Sequence, residues 1–237
     1  MKKIIPIIFS LIVSNTLLAQ TDAICIYEIT KNKINIEINE KDNSTTRKAK
    51  NLINEAIEIA ETFTYTLKFN ENESIFSKNR SMGNEAQSSY IIPIAEAIVG
   101  KGIYYQNKVK NENIQQVQGS IGLFLIKGSF LTDWEFTNET KKIGKYNCYK
   151  AIKKCNSCDT AEEVWFTPEI AAPFGPLGYS GLPGLILEIK KKTLTLRLAS
   201  IDFKPKNIVI KKPTKGKVVG IDEFKKITDD FRSQMKQ

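Results

Sequence analysis

The chain has 237 residues, with 35 lysines and arginines against 26 aspartates and glutamates, and it contains no histidine. Its net charge of +9 includes basic clusters at residues 190–192 and 211–217, which are typical of solvated hairpins and linkers. The absence of histidine excludes Ser-His-Asp and Cys-His nucleophiles, histidine-rich zinc sites and imidazole acid–base catalysis. Carboxylate, lysine, tyrosine or cysteine chemistry remains.

The first twenty residues have the three parts of a secretory signal peptide. Two lysines precede an apolar run at residues 4–13, and small or polar residues follow up to Ala19. The apolar run is about half of the roughly 20 residues that a bilayer span requires. We therefore predict cleavage next to Ala19 or Gln20, no transmembrane segment afterwards, and export to the periplasm, the outer-membrane periphery or the extracellular space.

Alternating apolar and polar residues predict a mainly antiparallel β-sheet. The alternation is clearest at residues 34–38, 63–69 and 194–198. Further strands are predicted at residues 24–29, 75–77, 103–106, 113–117, 122–127, 135–137, 145–153, 162–167 and 185–190. Most connections are short and rich in Asn, Gly, Lys and Asp, which favours antiparallel pairing over helical crossovers.

Helical periodicity interrupts this pattern near both ends of the chain. Apolar residues recur at helical spacing over residues 44–61, and Ser44 or Thr45 can cap that helix. A second helix is predicted near the C-terminus, with Asp222 as its cap and Ile221 as a hydrophobic staple.

We assign the chain to the mainly β (α+β) class, as a curved antiparallel sheet or half-barrel, because many strands in one domain tend to curl. The helix at residues 44–61 is expected on the concave side, a weaker helix lies at 94–99, and the C-terminal helix is peripheral. The predicted organisation is a signal peptide at 1–20, a β domain at 21–203, and a basic linker with a C-terminal helix at 204–237.

The most specific local motif lies between the strands at residues 162–167 and 185–190. It consists of Gly181, Leu182, Pro183, Gly184, Leu185 and Ile186. A proline-fixed φ beside glycines that tolerate positive φ predicts a tight turn into an apolar strand, so we interpret the motif as structural. Phe174 and Tyr179 are the candidate binding residues, in the loop at residues 173–181, which we interpret as the lip of a binding site. At such a lip, truncation of either residue to alanine would abolish binding and leave stability almost unchanged.

The run at residues 181–186 spells G-L-P-G-L-I, and the chain resembles the GLPGLI family of exported proteins from Gram-negative bacteria. Matching segments occur in the family's order at residues 67–79, 134–151 and 165–170 and at Gly175-Pro176. The resemblance covers residues 62–203. It implies export but no reaction, because the family has no established activity or catalytic residues.

The four cysteines are Cys25, Cys148, Cys155 and Cys158. An even number in an exported chain predicts disulfides, with three possible pairings. We expect Cys155 and Cys158 to form a bond that staples a hairpin tip, because both flanks have strand patterns, and we leave the pairing of Cys25 and Cys148 open. A thioredoxin-like site would instead need the C-x-x-C motif at the start of a helix.

The sequence assigns no catalytic residue, no metal site and no cofactor. The leading hypothesis is a non-enzymatic envelope protein that binds an unknown envelope partner, a peptide or an apolar ligand in the concavity of the sheet. Nucleic acid is not an expected partner for an exported chain. The alternatives are a carboxylate-dependent hydrolase, which needs two facing carboxylates in a polar cleft, and a thiol-disulfide protein that uses Cys155 and Cys158.

Overall fold

The computed structural model describes residues 22–32, 42–80, 90–153 and 162–234, and it contains one twelve-stranded sheet within these ranges. The strands are β1 (Ala23–Lys31), β2 (Thr64–Phe69), β3 (Glu73–Lys78), β4 (Ile103–Asn107), β5 (Glu112–Gly119), β6 (Gly122–Gly128), β7 (Trp134–Ile143), β8 (Tyr146–Lys153), β9 (Glu162–Thr167), β10 (Leu185–Lys190), β11 (Leu194–Asp202) and β12 (Lys217–Gly220). The helices are α1 (Ser44–Ala60), α2 (Ile92–Val99) and α3 (Ile221–Gln234). The mainly β class is confirmed, and the strand predicted at 34–38 lies outside the described residues.

The sheet consists of two meanders on either side of β1. The strand order is β12-β6-β5-β4-β3-β2-β1-β11-β10-β9-β8-β7. Every neighbouring pair is antiparallel except β12, which runs parallel to β6. The sequence did not predict β12, because two valines in a basic stretch carry no alternation and the strand forms only where β6 supplies a partner.

The chain crosses from β6 to β7 in a way that requires strong curvature. On a flat sheet these strands would stand ten strand spacings apart, or roughly 48 Å. The connection between Gly128 and Trp134 consists of five residues and can span only about 21 Å. The sheet therefore curls until its two ends approach each other, although it is not closed into a barrel.

The concave face holds the connection between β9 and β10, which we call the inner loop (residues 168–184). The inner loop contacts strands from both meanders. The amides of Gln106 on β4 and Asn113 on β5 donate to the carbonyl oxygen of Gly178, at 2.8 and 2.6 Å. On the opposite side, Trp134 Nε1 donates to the carbonyl oxygen of Ser180 at 2.9 Å. Because the inner loop bonds to strands of both meanders, we place it on the concave face of the curled sheet.

The helices cover other parts of the core. Helix α1 packs against α2 and β1 and buries Ala56, Ile57 and Ala60, which confirms the predicted packing of this helix on the sheet. Its N-cap is Asn43, whose side chain accepts a bond from Thr46 N at 2.8 Å, so the predicted caps Ser44 and Thr45 are wrong by one or two positions. The cap is the last residue that keeps an extended backbone before the helix, and here that is Asn43, with φ −70° and ψ 167°.

Helix α3 follows β12 without a loop and is peripheral, as predicted. None of its described residues is buried. It rests on the sheet through Phe224, whose ring lies 5.2 Å from that of Phe124 in an edge-on contact, and through Ile227. Because the helix begins at Ile221, Asp222 is not its cap but lies in the first turn. There its negative charge interacts favourably with the positive end of the helix dipole.

The segment between β11 and β12 crosses the outer face of the sheet. Ile210 packs on a small buried cluster of Tyr105, Ile114 and Leu125. Lys212 pairs with Glu112 at 2.8 Å and, at the same time, lowers the pKa of that carboxyl group through a hydrogen bond. No helix in the described ranges is long and apolar enough to cross a bilayer.

Candidate functional site: a cavity beneath the inner loop

The inner loop has a backbone that only certain residues can adopt. Gly181 has φ +83° and Gly184 has φ +151°, which are both conformations that L side chains rarely adopt. A Cβ at Gly181 would lie 2.0 Å from the carbonyl oxygen of Leu131, and one at Gly184 would lie 2.0 Å from that of Thr167. These contacts are with backbone atoms that cannot move aside, so the geometry favours the structural interpretation of the motif.

Three further residues of the motif are buried, whereas Pro183 is exposed. Leu182, Leu185 and Ile186 are at most 1% exposed. The carbonyl oxygen of Ile186 accepts a bond from the hydroxyl group of Tyr27 at 2.6 Å, and its N–H donates to the carbonyl oxygen of Phe174 at 3.1 Å. The motif thus ties the start of β10 both to the central strand and to the inner loop.

A cavity of about 290 Å³ lies between the inner loop, strands β4 to β6, and the start of α3. We call it the concave cavity. Its lining residues are Tyr104, Asn113, Gln115, Ile126, Gly128, Ser129, Leu131, Lys153, Leu177, Gly178, Tyr179, Ile221 and Phe224. Most of this surface is aliphatic or aromatic, with a few polar groups, which is the composition of small-molecule sites. Ser129 and Ile221 are exposed and mark the mouth of the cavity.

The polar groups of the lining are mostly held in place by the protein itself. Gln115 Nε2 donates to the carbonyl oxygen of Lys101 at 2.7 Å and to the hydroxyl oxygen of Tyr104 at 3.0 Å. Burial raises the pKa of Tyr104, so its phenol stays protonated and neutral. Lys153 Nζ lies 4.6 Å from the centroid of the Tyr179 ring, as a cation over an aromatic face.

The two residues predicted to form a binding lip are buried. Phe174 is 0% exposed and its ring lies 6.2 Å from the rings of Phe69 and Phe130. Tyr179 is 5% exposed but lines the concave cavity. The predicted exposure at a lip is therefore wrong, because the loop turns into the concave face instead of projecting from the strand ends. The binding role of Tyr179 stays a prediction.

Several cavity residues were not predicted from the sequence. Asn113, Gln115 and Tyr104 come from β4 and β5, which are consecutive in the chain and pair in the sheet, and Lys153 comes from the opposite meander. Leu177 has φ +57°, which is unusual for a residue with a Cβ. The sequence signal for this irregular backbone was the proline and glycine content of the loop, which includes Gly175-Pro176.

The concave cavity does not supply the facing carboxylates that a hydrolase needs, whereas Asp22, Glu71 and Glu73 line a separate polar cleft. No aspartate or glutamate belongs to the described lining of the concave cavity. Across the described ranges, no group of three or more Cys, Asp or Glu side chains is placed to hold a metal ion. Cys155 and Cys158 lie outside the described residues, so the predicted bond between them stays a prediction.

Cys25 and Cys148 are buried free thiols and do not pair with each other. Burial raises the pKa of both, and that of Cys148 rises from 9.0 to about 11. A raised pKa disfavours the reactive thiolate, so these two cysteines serve as core residues.

Because burial raises the pKa of Cys148 in the folded protein, we expect the protein to be less stable at alkaline pH. The unfolded state releases the thiol proton above pH 9.0, whereas the folded state holds it until about pH 11, so the free energy of unfolding falls as the pH rises through this interval. Urea unfolding of the reduced protein at pH 8 and pH 10 should show a loss about 1 kcal/mol larger for the wild type than for Cys148→Ala. Equal losses would show that this thiol titrates normally in the folded state.

Comparison with solved structures finds several chains of similar architecture, among them PNGF-II in two crystal forms. The chain is similar to PNGF-II, with a TM-score of 0.51, 16% sequence identity and coverage of 87% of this chain and 32% of that chain in a C2 crystal form. A P21 form gives a TM-score of 0.50 with coverage of 87% and 33%. The chain therefore spans about a third of PNGF-II, and at this identity the likeness concerns the fold alone.

Sequence comparison adds one short match. The family described as "Protein of unknown function (Porph_ging)" matches residues 156–188, a segment that includes β9, the inner loop and the G-L-P-G-L-I run. No curated protein matches the chain. The segment that builds one wall of the concave cavity is thus similar to a family whose function is unknown.

Proposed function

We propose that this chain is an exported, non-enzymatic binding protein that holds an apolar ligand in the concave cavity. This proposal rests on the concave cavity, which has a volume of about 290 Å³, mostly apolar walls and a mouth beside Ser129 and Ile221. An apolar surface that is left unfilled inside a curved sheet favours a ligand, because protein interiors otherwise pack without large voids.

Export and family membership belong to the same proposal. The basic start, the short apolar run and Ala19 support removal of the first twenty residues. The G-L-P-G-L-I run and the match to a family of unknown function over residues 156–188 support membership of the GLPGLI family. We also propose that an envelope partner delivers the ligand to this protein or accepts the ligand from it.

The test fills the mouth of the cavity without disturbing the core. N-phenyl-1-naphthylamine, a neutral apolar dye that fluoresces when it leaves water, is titrated into the purified wild type and into Ser129→Trp. Because Ser129 is exposed, the indole ring can occupy the mouth without displacing buried side chains. We expect saturable binding to the wild type and affinity at least about tenfold weaker in the variant, which corresponds to the loss of one well-buried aromatic contact.

The matched control is Ser200→Trp, which places the same side chain at an exposed position of β11 outside the lining of the cavity. It should bind the dye as the wild type does, and both variants should keep the melting temperature of the wild type. Equal dye affinity in Ser129→Trp and Ser200→Trp would refute the concave cavity as the binding site.

A further inference from the structure

The concave cavity contains one ionised side chain among the residues described for its lining. That residue is Lys153, the last residue of β8. The other polar side chains of the lining are the amides of Asn113 and Gln115 and hydroxyl groups, of which the phenol of Tyr104 stays neutral. A mostly apolar site therefore carries one positive charge.

The ammonium group of Lys153 is held without a carboxylate partner in the described part of the chain. Lys153 lies directly opposite Glu162 on β9, but the Glu162 carboxylate is 3.9 Å from the ammonium group of Lys191. Among the described residues, Lys153 Nζ contacts the face of the Tyr179 ring. Two other lysines of this meander do have a carboxylate partner, since Lys150 pairs with Glu139 at 2.9 Å and Lys141 with Glu188 at 2.6 Å.

A partly buried cation beside an apolar wall gains most from a ligand that supplies an anion. A neutral apolar molecule would take water from the ammonium group and return no hydrogen bond, which is unfavourable. An anionic head group would form a charge-assisted bond with Lys153, while its apolar chain would rest against Leu131, Leu177 and Phe224. The two halves of such a molecule match the two kinds of surface in the cavity.

We infer that the ligand is an amphipathic molecule with an aliphatic chain and one acidic head group, whose head is bound by Lys153. This inference rests on the proposed function and specifies its ligand class. Carboxylate and phosphate heads share the required chemistry.

The experiment compares ligands that differ only in the head. Decanoate, decyl phosphate and decanol compete with N-phenyl-1-naphthylamine for the wild type and for Lys153→Met, which keeps an unbranched apolar side chain but removes the charge. We expect the preferred acid to bind the wild type about tenfold more tightly than decanol, as one charge-assisted bond provides. In Lys153→Met this advantage should fall to about twofold or less while decanol binds unchanged.

Further variants exclude a general effect of charge. Lys142→Met removes one exposed lysine of β7 that does not line the cavity, and it should leave the preference for the acid intact. Lys153→Arg should restore most of the preference. If decanoate binds best, the head is a carboxylate, and if decyl phosphate binds best, it is a phosphate.

Two outcomes would contradict different parts of the proposal. If decanol displaces the dye as well as both acids do, the acidic head is refuted and the apolar site stands. If no ligand displaces the dye and Ser129→Trp also binds it normally, both the site and the ligand class are refuted.

Discussion

Replacing Gly184 by valine is expected to lower the free energy of unfolding by about 3–5 kcal/mol or to prevent folding. Gly184 has φ +151°, which β-branched residues avoid. Its Cβ would also lie 2.0 Å from the carbonyl oxygen and 2.6 Å from the carbonyl carbon of Thr167, both backbone atoms of β9. Relief of that clash would require β9 and β10 to separate at the place where the inner loop begins.

The control for this prediction is Gly220→Val, the same substitution at the end of β12. No atom lies within 4 Å of a Cβ at Gly220, and its φ lies outside the strained positive region. Urea unfolding followed by circular dichroism should show a change of less than about 1 kcal/mol for Gly220→Val. Equal unfolding midpoints for the wild type and Gly184→Val would refute the structural role of the motif.

Truncation of Phe174 to alanine is expected to destabilise the protein by about 3–5 kcal/mol, as buried aromatic truncations generally do. This side chain is 0% exposed and packs against Phe69 and Phe130 between the inner loop and both meanders. The sequence-based hypothesis of a binding lip makes the opposite prediction, namely unchanged stability with loss of binding.

Phe136→Ala provides the comparison, because Phe136 is 58% exposed and its ring has one aromatic contact, with Phe166 at 6.1 Å. Its truncation should cost less than about 1 kcal/mol. Thermal and urea unfolding of the two alanine variants separates the hypotheses directly. A Phe174→Ala protein that melts with the wild type and no longer binds the dye would favour the lip.

The sequence predicted eleven of the twelve strands because each of them carries its own local pattern. In β1, for example, Ala23, Cys25, Tyr27 and Ile29 are buried and alternate with less buried residues, as half-buried strands require. The helix α1 was predicted for the same reason, since its apolar stripe has the helical period. By contrast, β12 depends on pairing with β6, a partner about ninety residues earlier in the chain.

The candidate site was predicted only in part, because it is assembled from distant segments. Tyr179 was selected from the sequence and does line the concave cavity, whereas Phe174 belongs to the core. Nothing in the local sequence distinguishes Lys153 from the many other lysines. Its neighbours in the cavity come from β5, the inner loop and α3.

Most strands and helices could be predicted from the sequence alone, as could the turn glycines and the absence of imidazole chemistry. These properties depend on short-range periodicity, backbone conformation and composition. The position of the inner loop on the concave face, by contrast, depends on tertiary contacts. That outcome follows from the five-residue connection between β6 and β7, which brings the ends of the sheet together around the loop. The cavity and the one cation of its described lining result from that curvature, and long-range packing of this kind leaves no local pattern in the chain.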